Sequence, residues 1–251
     1  MLGNNTPIAE FPGFAWTEHL NVAGHNLGAE IHGDTILLSW LCMGAILIGA
    51  AIMRSTLTAK GPGTDGQGFL EMLYEFVADI TKGQIGHEWK TYFPLIAAIF
   101  IFVLIANFAG ILPWQAIGQA IPGFPTELHE GHRIPAEIAA PSTDFNVTFG
   151  LALVALLTYL AAGFGAHGFK YLKAYINPIE WLDLIIRPAT LSLRLMMVIT
   201  ADELMRGAAL MMVPVLLPAG VMGFEMFIGV IQAFVFALLT AIYIGLTVSH
   251  H

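Results

Sequence analysis

Charge is what this sequence has least of. Lysine and arginine number 10 and aspartate and glutamate 18 in 251 residues, so charged residues make up only 11%. Soluble domains carry about 25%, and a solvent-covered surface of ordinary extent cannot be built from so few. Basic residues are the scarcer sign. The formal net charge of −8 excludes the basic patch that nucleic-acid binding requires. There is a single cysteine, Cys42, set in an apolar run, so no intrachain disulfide supports the fold. No HExxH or comparable metal motif occurs, and no cofactor-binding motif is visible. His129 and His132 flank Glu130 in a polar loop and read as solvated. The first 35 residues lack the basic stretch that opens a signal peptide. They are polar, with His19, His25 and His32. This divides the chain into an extramembrane N-terminal segment, 1–35, and a single membrane domain, 36–251.

Apolar sequence is what the chain has in abundance: 57% of residues are hydrophobic and the mean hydropathy is +0.73. A spanning helix needs about 20 predominantly apolar residues. Five stretches qualify, near Ile36–Met53, Tyr92–Leu112, Val147–Phe164, Ala189–Leu217 and Ala219–Val248. The last two are separated only by Pro218, in the run Pro214-Val-Leu-Leu-Pro218, and read as a tight hairpin of long helices, tilted or bent near Pro214. Between the spans, Gly68–Lys82 places Phe69, Leu73, Phe76 and Ile80 at helical spacing, with Glu71, Glu75 and Asp79 on another face. That is an amphipathic helix. Pro178–Ile186 reads as a second short amphipathic piece. The expected fold is an all-α polytopic membrane protein of about five transmembrane helices plus interfacial amphipathic helices.

Orientation follows from the basic residues. Arg54, Lys60, Lys82 and Lys90 lie between the first and second spans, and Lys170, Lys173 and Arg187 between the third and fourth. The loop 113–145 has Arg133 against Glu127, Glu130, Glu137 and Asp144. The positive-inside rule therefore puts the N-terminus and the 113–145 loop outside, and the 54–91 and 165–188 loops and the C-terminus in the cytoplasm.

The fourth span carries Arg194, Asp202, Glu203 and Arg206 among leucines and methionines. A charge at mid-bilayer costs roughly 2.5–3.5 kcal/mol on insertion scales, so such residues face protein or a water-filled path and point to ion translocation. Arg194 is a permanent cation, suited to attracting and releasing a carboxylate. Glu203 lies nine residues on, about 180° round the helix and roughly 13.5 Å along it, so the two are not a helix salt bridge. Arg206 is three residues from Glu203 and can pair with it. Asp202 sits on a different face from Glu203. On the fifth span Glu225 and Gln232 are seven residues apart and share a face. Gln232 can orient an arginine or a water chain.

At these residues the chain resembles subunit a of the F-type ATP synthase, with a chloroplast and cyanobacterial flavour. The run PATLSLRL, Pro188–Leu195, is similar to the family's signature up to its essential arginine, and DEL, Asp202–Leu204, follows at the family's spacing. VPVLLPAGVM from Val213, IQAFVFALLTAIYIG from Ile231, EIHGD at Glu30–Asp34, ITKGQIG at Ile80–Gly86, IANFAGILPW around Asn107 and APSTDFN at Ala140–Asn146 match in order. The resemblance implies a stationary subunit set against a rotating ring of c subunits, together with b-type peripheral stalk subunits, the rest of the synthase and membrane lipid. Two offset half-channels would lead to the ring. Arg194 would be the stator arginine between them and Gln232 its neighbour, with Glu203 and Glu225 lining the outer half-channel. Asp34, His32, Asn107, Asp202 and Arg206 would be weaker pathway positions. A bacterial inner membrane is implied, with a thylakoid membrane as the alternative, and no catalysis by this chain alone. Leu195 is followed by Met196, Met197 and Val198 where the family usually reads Phe-Gly-Asn, and Arg206 stands where it usually has an apolar residue.

Two other readings use the same charges. An ion-coupled secondary transporter would show paired halves with broken helices, and no such halves are visible. A membrane-embedded metalloprotease lacks its motif. The coupling ion, proton or sodium, is set largely by the ring and stays open.

Overall fold

The computed structural model describes residues 21–22, 25–26, 33–56, 65–112, 126–129, 132–135, 140–167, 178–212 and 216–249. His32 and the proposed bend at Pro214 lie outside the described residues. Among the described residues there are six α-helices: α1 (Gly33–Thr56), α2 (Asp65–Ile85), α3 (Trp89–Ile111), α4 (Phe145–His167), α5 (Pro178–Met212) and α6 (Leu216–Ser249). Two small antiparallel hairpins accompany them. Strand β1 (Asn21–Val22) pairs with β2 (His25–Asn26), and β3 (Thr126–His129) with β4 (His132–Pro135), the latter placing His129 opposite His132. Four helical stretches are long and apolar enough to cross a membrane: Gly66–Ile111, which takes in α2 and α3, Phe145–Ala166, Leu184–Ala209 and Gly220–Val248. A shorter apolar stretch, Leu38–Ile52, lies in α1. The architecture is the expected polytopic all-α one.

The centre of the bundle is α6, which packs on α2, α3, α4 and α5, while α1 rests mainly on α3. Close approach comes from small residues: Ala152 and Ala155 of α4 and Ala233, Ala237 and Ala241 of α6 are buried at these contacts. Without a hydrophobic force to press helices together in lipid, shape fit and small side chains do that work. Buried threonines satisfy themselves locally. The hydroxyls of Thr81 and Thr240 donate to the carbonyls of Val77 and Phe236, at 2.7 and 2.9 Å. Large apolar residues such as Trp40, Leu47, Leu157 and Ile185 lie on the outside, where lipid rather than water is their natural solvent.

Three local features differ from the sequence expectations. The helix predicted over Gly68–Lys82 forms as α2, but its packed stripe is Leu73, Val77, Thr81 and Ile85 against α3 and α6, and Phe69 is exposed. Phe76 stays half outside, its ring 5.9 Å from Phe100 and 5.6 Å from Phe234. A tight partner surface selects small and β-branched residues over the large rings that periodicity singles out. Secondly, Pro178–Ile186 is not a separate piece. It continues unbroken into α5 through Pro188. The Thr190 hydroxyl donates to the carbonyls of Ile186 and Arg187, at 2.9 and 3.0 Å, just past the turn in which Pro188 leaves the Leu184 carbonyl without its helical N–H. Thirdly, Pro218 does not separate the last two helices. It sits in the first turn of α6, where its missing N–H has no intrahelical acceptor to lose.

The helices α5 and α6 contain 35 and 34 residues, about 50 Å each at 1.5 Å per residue. Against a hydrocarbon core of about 30 Å they must tilt or project beyond it. The turn from α2 to α3 uses Gly86 at φ 74°, a left-handed conformation costly for other residues, and Lys82 lies 4.8 Å above the Trp89 ring across it.

A Cβ added at Gly245 would fall on the carbonyl oxygen of Gln84, whereas one at Gly223 meets nothing. Gly245→Ala is therefore expected to force α6 from α2 and destabilise the chain by about 1–3 kcal/mol. Gly223→Ala serves as the neutral comparison in thermal denaturation of the detergent-solubilised protein. Equal melting temperatures for the two variants would refute the contact.

Candidate functional site

The intramembrane charges are brought together where α3, α5 and α6 meet. Arg206 of α5 reaches across to α6, and its Nη1 donates to Glu225 Oε2 at 3.1 Å. The same nitrogen donates to the carbonyl of Gly110 on α3 at 3.2 Å. Gly110 lies one residue before the end of α3, where carbonyls lack intrahelical partners and the helix dipole is negative, so that end attracts a guanidinium. A Cβ at Gly110 would collide with Ala140, which is why the 3-10 turn at Pro141–Thr143 can lie against α3. The Arg206 and Glu225 side chains are 14% and 3% exposed. This is a buried ion pair.

Asn107 lies one turn before Gly110 on α3. It is 2% exposed, and its Nδ2 donates to the Gly229 carbonyl of α6 at 3.1 Å. Asp202, one turn before Arg206, is 8% exposed. These groups surround a cavity of about 20 Å³ lined by Asn107, Gly110, Ile199, Asp202, Arg206 and Glu225. That is room for about one water molecule. Asp202 Oδ2 and Asn107 Oδ1 are buried and accept no hydrogen bond from the described residues.

Arg194 is placed differently. Its side chain is exposed on the outer face of α5, and it forms no hydrogen bond or ion pair with another described residue. Beside it Leu193 and Met197 are also exposed, as are Leu204 and Met212 further along the helix. Gln232 is half-buried on α6, seven residues after Glu225. Glu203 and Asp34 lie in α5 and α1, and their side chains are outside what the structure describes. Of the sequence candidates, then, Asn107, Asp202, Arg206 and Glu225 form one cluster and Arg194 faces outward.

Arg206 pairs with Glu225, 19 residues away on the next helix; Glu203, the partner that spacing along one helix offers, has its side chain outside the described residues. Arg187 was legible only as a positive-inside charge. Its guanidinium lies 5.0 Å from both the Tyr159 and the Tyr243 rings, a sandwich between α4 and α6 that no sequence spacing announces.

Breaking a buried ion pair from one side leaves an uncompensated charge, at a cost of about 3–5 kcal/mol. Arg206→Leu is therefore expected to lower thermal stability by about that amount, and Arg206→Leu combined with Glu225→Leu by much less. A double variant as unstable as the sum of the singles, in detergent unfolding, would show that the pair carries no coupling.

A protein family described as the ATP synthase A chain matches residues 36–245 of this sequence. The protein named ATP synthase subunit a, chloroplastic, from Stigeoclonium helveticum is 37% identical over 232 residues, which cover 89% of this chain and 88% of that protein. With a buried charge cluster between its long helices and a solitary arginine on its outer face, the chain belongs to the ATP synthase A chain family.

Proposed function

We propose that this chain is the stationary ion-translocating subunit of a rotary ATP synthase, and that Arg194 is the gate between two half-channels. The observation that carries the reading is the outward exposure of Arg194 among leucines and methionines inside the apolar span Leu184–Ala209. A permanent cation on an apolar face needs an anionic partner, and among the described residues this chain offers it none. A carboxylate brought by another subunit meets that need. In a ring of such subunits, each ionised carboxylate would be attracted as it arrives and released as it is neutralised.

The second arginine of the same helix supports the division of labour. Arg206 is held by Glu225 and Gly110 and is not available to a passing carboxylate. The cluster of Asp202, Asn107 and Glu225 around a water-sized space suits the outer half-channel, which Glu203 would also line. Gln232 would stand beside Arg194. The partners are a c-subunit ring, b-type peripheral stalk subunits and the remaining synthase, with lipid covering the other apolar faces. The chain catalyses no reaction by itself. Its membrane is a bacterial inner membrane, with a thylakoid membrane as the alternative that a chloroplastic relative supports, and residues 1–35 lie outside with the C-terminus in the cytoplasm.

In vesicles holding the whole complex, Arg194→Ala is expected to reduce ATP-driven ion pumping to background and to open a passive leak. Coupled pumping at the normal rate would overturn the gate assignment. Orientation is checked by single cysteines read with a membrane-impermeant thiol reagent. Glu127→Cys should label from outside and Lys82→Cys only from the cytoplasmic side, and the reverse pattern would invert the topology.

A further inference from the structure

We infer that His129, His132 and Glu127, which the register of β3 and β4 brings to one face of one hairpin, form a site for a divalent transition-metal ion of the zinc class. The inference stands apart from the half-channel reading, because the hairpin can bind a metal whether or not the membrane domain conducts.

The argument starts from register. His129 is paired with His132 across the hairpin, Glu127 with Ile134 and Leu128 with Arg133. Only Glu130 and Gly131 stand between the two histidines in the chain. Alternate residues of a strand belong to opposite faces. Positions 127, 129, 132 and 134 therefore share one face, and positions 126, 128, 133 and 135 the other. Directly paired positions have Cβ atoms about 4.5–5.5 Å apart, and diagonal neighbours lie about 7–8 Å apart. Two imidazoles at the first spacing and a carboxylate at the second are within reach of one ion, at bond lengths of about 2.0–2.2 Å. Reading along the chain conceals this. His-x-x-His is one residue short of the helical pattern of a zinc protease, and on a helix Glu127 and His129, two apart, would not face each other. The strand period of two is what assembles the three.

Chemistry then sets the occupant. Neutral imidazole is a ligand for zinc, copper and nickel, and a carboxylate completes a mixed nitrogen and oxygen set. Calcium and magnesium take oxygen donors, which two histidines deny them. Three protein ligands leave a fourth position for water. Without an ion, two imidazoles set opposite each other repel when both are protonated. Arg133, the one basic residue of the loop 113–145, belongs to the opposite face, so no lysine or arginine shares the face with the ion. The hairpin also gains from a staple. A two-stranded ribbon by itself is marginally stable in water, and among the described residues β3 and β4 pack chiefly on each other. An ion held by both strands ties them together, since metal binding adds to folding stability.

The test uses the full chain, solubilised in detergent, freed of metal with a chelator and carrying no histidine tag. Zinc binding is measured by equilibrium dialysis with magnesium in excess. A single zinc ion is expected at this site. His129→Gln and His132→Gln are each expected to weaken its binding by roughly tenfold or more, since losing a ligand costs at least what losing a ligand's hydrogen-bonded neighbour does. His250→Gln with His251→Gln is expected to leave it unchanged. Cobalt in place of zinc reads the geometry, as a four-coordinate absorption spectrum that His132→Gln abolishes. Zinc binding that survives loss of both His129 and His132, or that is lost only with His250 and His251, overturns the inference. A second measurement needs no variant. Trypsin cuts after Arg133, and zinc held across the hairpin is expected to slow that cut several-fold relative to the cut after Lys82. A relative rate indifferent to saturating zinc overturns the inference, whether or not the variants fold.

Discussion

A guanidinium and a carboxylate held 3.1 Å apart between two membrane helices constrain nearly everything around them. Neither group tolerates an apolar surrounding alone, so the helices that carry them cannot separate without exposing a bare charge. The constraint extends to a third helix, because Arg206 also caps the Gly110 carbonyl at the end of α3. That in turn requires Gly110 to have no side chain, since Ala140 occupies the space a Cβ would take. One ion pair thereby ties α3, α5 and α6 together beside the small cavity between them.

The contrast between the two arginines of α5 gives the molecule its functional asymmetry. Arg206 is satisfied within the chain, and Arg194, three turns earlier, is presented outward on an apolar face. The same chemical group serves as a fixed internal counter-ion in one place and as an open electrostatic invitation in the other. Between them the bundle packs through small residues such as Ala233, Ala237 and Ala241 and carries threonines bonded to their own helix.

Much of the fold is legible along the chain. Scarcity of charge and the length of the apolar runs dictate membrane helices, because a spanning segment must satisfy its own backbone and tolerate lipid on its surface. The family is also legible, from ordered motifs around Arg194, Asp202–Leu204 and Gln232. Less legible is how the faces pack. Of the predicted stripe of α2, Leu73 and Ile80 pack on the core while Phe69 and Phe76 stay outside, and the most buried positions are Val77 and Thr81, because close approach to α3 and α6 favours smaller side chains. The piece read over Pro178–Ile186 is likewise not separate: it is continuous with α5 through Pro188, as membrane helices can be when neighbouring helices hold the backbone in line.

The sequence by itself determined that this protein lives in a membrane and that it carries charges within its apolar spans, Arg194 among them. Composition and periodicity decide these because transfer between water and lipid acts on each residue independently. Only the tertiary structure decided which charges meet. The pairing of Arg206 with Glu225, the clamp on Gly110, the unmet oxygens of Asp202 and Asn107 and the outward face of Arg194 all depend on contacts between helices far apart in the chain. Electrostatic and hydrogen-bonding partners are set by distances of a few ångströms in space, which spacing along a single helix does not report.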